Sequence, residues 1–188
     1  MDSDVLAVIL LLLALSVALN LKLSLQLLKA VNRLGAAAKA ASILPLGEAL
    51  DAFSGTRLAD GAPLTVGDDG QPAVLLFLSS ACPKCRHKLP EIARLAPLAR
   101  DAGVALWLVS LEPAWRLRRF LQSTTLAASA VRVSGADYEM LNPLMSSPSY
   151  LFISQAGTLD ARGMIGDDDW RSFCEQMDQL QMAQEASA

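Results

Sequence analysis

Two cysteines separated by two residues, in Cys82-Pro83-Lys84-Cys85, are the groups in this chain best suited to chemistry. One turn of helix brings thiols at that spacing together, so one can attack a disulfide and the other can resolve the mixed disulfide that results. An apolar run, Ala73 to Leu78, ends just before them, and a helical pattern starts at Pro83. Cys82 is therefore expected at a helix N-terminus, where unpaired backbone N–H groups favour a thiolate. Pro83 falls on the first helical position, where proline is best tolerated. Lys84, Arg86, His87 and Lys88 add positive charge that should lower the Cys82 pKa further. A thiol of low pKa leaves easily and favours an oxidising couple. Zinc is the competing use of such a pair, but a structural zinc site normally takes four Cys or His ligands. Only Cys174 and His87 remain for that, and their spacing is wrong. No metal and no organic cofactor is expected; the Cys82–Cys85 disulfide is itself the redox group. Cys174 shares helical spacing with Trp170, Phe173 and Met177 and reads as a core thiol. His87 reads as a surface residue rather than a general base.

The elements that must position this pair follow from periodicity. Ala73 to Leu78 reads as a central strand buried on both faces. A helix follows over Pro83 to Asp101, with Pro90 inside it. Val104 to Val109 reads as a second buried strand, and Pro113 to Gln122 as a helix with Arg116, Arg118 and Arg119 on a basic face. Ala62 to Val66 is short and edge-like, Gly67 to Gly70 is a turn, and Ala130 to Val133 is a short strand. Tyr150 to Ile153 and Leu159 to Met164 flank Gln155-Ala156-Gly157-Thr158, a hairpin signal. Asp168 to Met182 closes the chain as a helix, its N-terminus favoured by Asp167, Asp168 and Asp169. The order β, α, β, α, β, hairpin, α implies an α/β domain with a mixed sheet flanked by helices.

The N-terminus is different in kind. Val5 to Leu19 is apolar but for Ser16, and leucines continue to Leu28. A helix over Val5 to Leu28 would span roughly 36 Å, against a hydrocarbon core of ~30 Å. It reads as a single transmembrane anchor rather than a cleaved leader, because Met1-Asp2-Ser3-Asp4 is acidic where a leader is basic. Residues 1–28 are thus expected to be the anchor, 29–45 a juxtamembrane stalk, 46–183 the folded domain and 184–188 a flexible tail. Lys22, Lys29, Arg33 and Lys39 all follow the span, which by the positive-inside rule puts the domain in the cytoplasm. A net charge of −3 with no basic stripe along the chain argues against nucleic acid.

The sequence around the cysteines, Leu76-Phe77-Leu78-Ser79-Ser80-Ala81-Cys82-Pro83-Lys84-Cys85 with Leu89-Pro90, resembles the MauD group of methylamine-utilisation accessory proteins, membrane-anchored relatives of the TlpA-like thioredoxins. Leu44-Pro45-Leu46-Gly47, Ser147-Pro148-Ser149-Tyr150 and Ala161-Arg162-Gly163-Met164 resemble that group too. The resemblance implies a thioredoxin-like fold, with Cys82 attacking and Cys85 resolving. It implies a cis Ser147–Pro148 bond, and a groove for the partner chain shaped by Ser147, Pro148, Pro83 and Lys84. It further implies a domain in the periplasm, anchored in the inner membrane, which the positive-inside charge pattern contradicts. The client would be the disulfide-rich small subunit of a periplasmic amine dehydrogenase, matured by disulfide formation or isomerisation. A membrane anchor also suits a redox partner in the membrane.

Departures from the wider family bear on direction. TlpA-like reductants usually carry tryptophan before the first cysteine and glutamate three residues after the second; Ala81 and Lys88 stand there. The strand Ala73 to Leu78 holds no acid, so no proton acceptor for Cys85 is visible unless Glu112 or water serves. The alternative reading is a TlpA-like thiol reductant serving cytochrome or copper-site maturation. A copper-delivery module of the Sco type would need Cys-x-x-x-Cys and a distal histidine, and a peroxiredoxin would need threonine two residues ahead of its cysteine. Neither pattern is present.

Overall fold

Leucines facing every direction decide the character of the first element. The structure is a computed structural model and describes residues 3–41, 44–67 and 70–186. It divides into two units, 1–42 and 43–188. The first is one helix, α1 (Ser3–Ala41). Within it Leu11–Val31 is long and apolar enough to cross a membrane, and none of that window is buried. Lys22, Gln26 and Lys29 are polar side chains toward its C-terminal end, and its length matches the ~30 Å hydrocarbon core of a bilayer.

The second unit carries β1 (Phe53–Arg57), β2 (Pro63–Val66), β3 (Ala73–Phe77), α2 (Pro83–Asp101), β4 (Ala105–Ser110) and α3 (Ala114–Leu121). A 3-10 turn (Leu126–Ser129), β5 (Ala130–Val133), α4 (Gly135–Leu141), β6 (Ser149–Ile153), β7 (Leu159–Met164) and α5 (Asp168–Glu185) complete it. The seven strands form a single sheet in the order β2-β1-β5-β4-β3-β6-β7. β3, β4 and β5 run parallel, while the β1, β6 and β7 pairings are antiparallel. This is the mixed sheet expected from the element order.

β3 is buried at every position because its two faces feed two cores. Val74 and Leu76 meet Leu89, Ile92 and Leu95 of α2, together with Trp170 and Phe173 of α5. Leu75 and Phe77 point the other way, toward Tyr138 and Leu141 of α4 and Val109 of β4. A continuous apolar run is what a strand covered on both sides requires.

β1, the 3-10 turn and α4 escaped the sequence reading. β1, Phe-Ser-Gly-Thr-Arg, buries only Phe53 fully and reads as loop. It is a strand because β2 and β5 pair with it on either side. α4 has only seven residues, but Ser134 accepts a hydrogen bond from the Asp137 backbone N–H (3.1 Å). That cap was a readable signal. Of the turn expected at Gly67 to Gly70, Asp68 and Asp69 lie outside the described residues. α5 continues to Glu185, aided by a Gln181–Glu185 hydrogen bond of 2.8 Å, so Gln184 and Glu185, expected in the tail, belong to the helix; Ser187 and Ala188 lie outside the described residues.

Gly55 gives the β1–β5 pairing a test. A Cβ there would lie 2.5 Å from Val131 Cγ2 and 2.9 Å from the Arg132 carbonyl oxygen. The second neighbour is backbone and cannot step aside. Gly55→Ala is expected to destabilise the fold by about 1–3 kcal/mol, the usual range for overpacking. The denaturant midpoint of the full chain in detergent measures it, and an unchanged midpoint would contradict the packing described.

Candidate active site

β3 ends at Phe77, and the chain turns through Ser79, Ser80 and Ala81 into α2. Cys82 is the N-cap of that helix, with an extended backbone (φ −92°, ψ 115°), and Pro83 opens the first turn. The Cys82 sulfur accepts from the Cys85 backbone N–H at 3.3 Å, as an N-cap side chain should. Cys85 lies one turn on and is completely buried, while Cys82 is half-buried. The Ser79 N–H donates to the Cys85 sulfur at 3.5 Å. Both cysteines are free thiols.

The third side of the site comes from far along the chain. The Ser147–Pro148 peptide bond is cis. The Cys82 thiol donates to the Ser147 carbonyl oxygen at 3.8 Å. Pro148 is buried, Ser147 is half-buried, and Pro83 and Lys84 are exposed beside the cysteines. The loop is braced by Asn142, whose side chain donates to the Ser146 carbonyl (2.9 Å) and accepts from the Ser146 N–H (3.0 Å). Ser149 adds a bond to the same carbonyl at 2.8 Å. Asn142 was not foreseen; an asparagine directly before Pro143 and six residues ahead of Pro148 was its only sequence signal.

The two thiols are made unequal by their surroundings. Burial pushes the Cys82 thiol up, but hydrogen bonds from the Cys85 thiol, the Cys85 and Lys84 backbones and Ser147 outweigh it, so it falls below the ordinary 9.0. The charge of the neighbouring cations, expected to drive that shift, is not among its main causes; hydrogen bonding is. Burial, and next the hydrogen bond with Cys82, push Cys85 up to about 11. Of the two, Cys82 ionises the more readily and Cys85 stays protonated to higher pH.

Glu112 follows β4 and faces the same turn. Its Oε1 accepts from the Ser80 N–H at 2.8 Å and from the Ser79 hydroxyl at 3.3 Å. Its Oε2 is buried without a hydrogen-bond partner among the described residues. Ser79 thus touches both Cys85 and Glu112. Cys174 stands apart on α5, half-buried against the core, its thiol pushed up to about 11 chiefly by burial. His87 is exposed. Among the described residues no three His, Cys, Asp or Glu side chains gather as metal ligands.

Against solved structures, the chain is similar to the thioredoxin domain of a thiol-disulfide oxidoreductase from Bacteroides vulgatus (17% identity, 72% of this chain and 99% of that one, TM-score 0.60). It is similar to a thiol:disulfide interchange protein from a Bacteroides species (17%, 72% and 91%, 0.60). A secreted disulfide oxidoreductase of Mycobacterium tuberculosis, homologous to E. coli DsbE, also matches (20%, 68% and 95%, 0.54). At these identities the likeness is one of fold, and the fold is thioredoxin-like. No protein-family model and no curated protein matches the chain.

Proposed function

We propose that this chain is a membrane-anchored thiol–disulfide oxidoreductase that exchanges disulfides with a cysteine-containing client. The observation that carries the reading is the inequality of the two thiols on a thioredoxin-like fold: Cys82 reachable and lowered, Cys85 sealed and raised to about 11. In the oxidising direction a client thiolate attacks Cys82 of the Cys82–Cys85 disulfide, and Cys85 leaves and takes up a proton. A second client thiolate then attacks the client sulfur of the mixed disulfide and expels the Cys82 thiolate. The client loses two electrons and the cysteine pair gains them, to be passed to a redox partner in the membrane. Isomerisation starts instead from the Cys82 thiolate attacking a wrong client disulfide. Ser147, Pro148, Pro83 and Lys84 line the groove for the client backbone. Glu112 exchanges the Cys85 proton, Ser79 bonding to both groups.

The client in this reading is the small subunit of a periplasmic amine dehydrogenase, on the strength of the MauD-like residues. The domain is then periplasmic and the anchor lies in the inner membrane, although Lys22, Lys29, Arg33 and Lys39 favour the reverse orientation. The reduction potential of the Cys82–Cys85 couple tests the direction of flow. A value near or above about −180 mV, the range of disulfide isomerase and DsbA, is expected. A value near about −270 mV, like thioredoxin, would make the chain a reductant and end the disulfide-forming reading.

A further inference from the structure

The face beside Cys82 holds more positive charge than the exchange reaction uses. Lys84 and Arg86 lie on the first turn of α2, Arg116 and Arg119 on α3, and all four are exposed. None of the ion pairs among the described residues includes any of them. Their neighbours Lys88 and Arg118 are engaged, with Glu91 at 2.7 Å and the Leu58 carbonyl at 2.9 Å. The first turns of α2 and α3 contain no acid. The acid between β4 and α3, Glu112, is turned inward.

The same face is apolar at its centre. Trp115 is 63% exposed and Leu111 38%. The Arg116 guanidinium lies 5.3 Å from the Trp115 ring centroid, and the Arg86 guanidinium lies 6.0 Å from that of Phe120. α3 is therefore tied to the cysteine helix through Arg86 and to the cysteine turn through Glu112. In the sheet, β4 and β6 flank β3, which sets Leu111 to Arg116 and the Ser147–Pro148 loop on opposite sides of the strand leading to Cys82. A polypeptide crossing Cys82 between them runs over the helix that carries Lys84 and Arg86 and has α3, with Trp115, Arg116 and Arg119, to one side. The exposed Trp115 and Leu111 offer a partner an apolar contact, and cations outside any ion pair near a reaction centre steer anions to it.

We infer that this face docks an acidic client segment that carries an apolar side chain next to its reactive cysteine, with Trp115 taking the apolar group and Lys84, Arg86, Arg116 and Arg119 the carboxylates. A lipid surface would also attract cations, but it has no disulfide to bring to Cys82, whose own helix turn carries Lys84 and Arg86. The inference rests on the exchange reading, and its test separates the two.

The reduced full chain in neutral detergent is mixed with three disulfides: the uncharged disulfide of mercaptoethanol, an acidic peptide closed by one Cys–Cys bond with phenylalanine beside it, and the same peptide with lysines for its acids. Acid-trapped products give the rates. At low ionic strength the acidic peptide is expected to react about 10-fold faster than the lysine peptide, with the gap closing in high salt as the screening length shortens. The double variant Arg116→Glu, Arg119→Glu should reverse the preference and leave the mercaptoethanol rate unchanged. Trp115→Ala should slow both peptides and spare the small disulfide. Equal rates for the two peptides would overturn the inference while leaving exchange standing, as would a Trp115-dependent fluorescence change seen only in phosphatidylglycerol vesicles together with equal peptide rates, which would assign the face to lipid. A chain inert toward all three disulfides would overturn both.

Discussion

Replacing Cys85 with serine is expected to stop turnover and leave the client covalently held on Cys82, whereas Cys82→Ser should hold nothing. The asymmetry follows from which sulfur can be reached. Cys82 is half-buried at the helix end with its thiol lowered; Cys85 is sealed beneath it with an N–H pointed at the Cys82 sulfur. In Cys85→Ser the backbone N–H at that position remains, so Cys82 keeps one of the hydrogen bonds that stabilise its thiolate and still attacks. The mixed disulfide then has no second thiol to break it, because Cys174 lies on α5, half-buried near Glu91 and Arg94 of α2, and is itself pushed up to about 11. Incubation with a disulfide-bonded peptide and non-reducing mass spectrometry should find the adduct on Cys85→Ser at near stoichiometric yield, with exchange at the uncatalysed rate for both variants. An adduct forming equally well on Cys82→Ser would reverse the roles assigned here. Resolution of the adduct in Cys85→Ser, lost on further removal of Cys174, would instead make the third cysteine part of the mechanism.

The route to those roles was partly open in the sequence. The spacing of Cys82 and Cys85, the all-apolar β3 before them and the proline at the first helical position state a local design that needs no distant partner. α2 was legible to both of its ends, Pro83 and Asp101, for the same reason. What periodicity could not supply is what tertiary contact supplies. β1 has one buried apolar residue, and its identity as a strand lies in its neighbours. The lowering of Cys82 looked like an effect of adjacent cations because those are the charges nearest in sequence. In the fold their side chains point into water, where their field is weakened, while the lowering comes from hydrogen bonds, those of the Cys85 thiol and of the Cys85 and Lys84 backbones first and a Ser147 side-chain bond from 65 residues away last. The cations are thereby released from the role of tuning Cys82 and become available for recognition.

Glu112 was named from the sequence only by elimination, and its geometry now gives a sharper expectation. With Cys85 at about 11, only about one thiol in 10,000 is ionised at pH 7. In the mixed disulfide Cys82 no longer carries a thiol, so its contribution to that shift is gone, but burial, the larger cause, remains. An unassisted resolving step would therefore rise about tenfold per pH unit through the neutral range. A carboxylate that accepts the proton as sulfur attacks removes most of this dependence. Glu112→Gln keeps an oxygen to accept from Ser80 and Ser79, so the turn should hold its shape. It cannot take up a proton. We expect second thionitrobenzoate release from the Cys82 adduct to slow by about 100-fold at pH 7, within the usual range for loss of a general base. The profile should steepen and the two proteins should converge at high pH. The first release, which depends on Cys82 alone, should be unchanged and should level off with rising pH below the ordinary thiol value of 9.0. Charge alone predicts the opposite sign: removing a nearby carboxylate would ease ionisation of Cys85 and quicken resolution. A faster Glu112→Gln would thus eliminate Glu112 as the proton acceptor and leave it as a bracket for the Ser79–Ser80 turn.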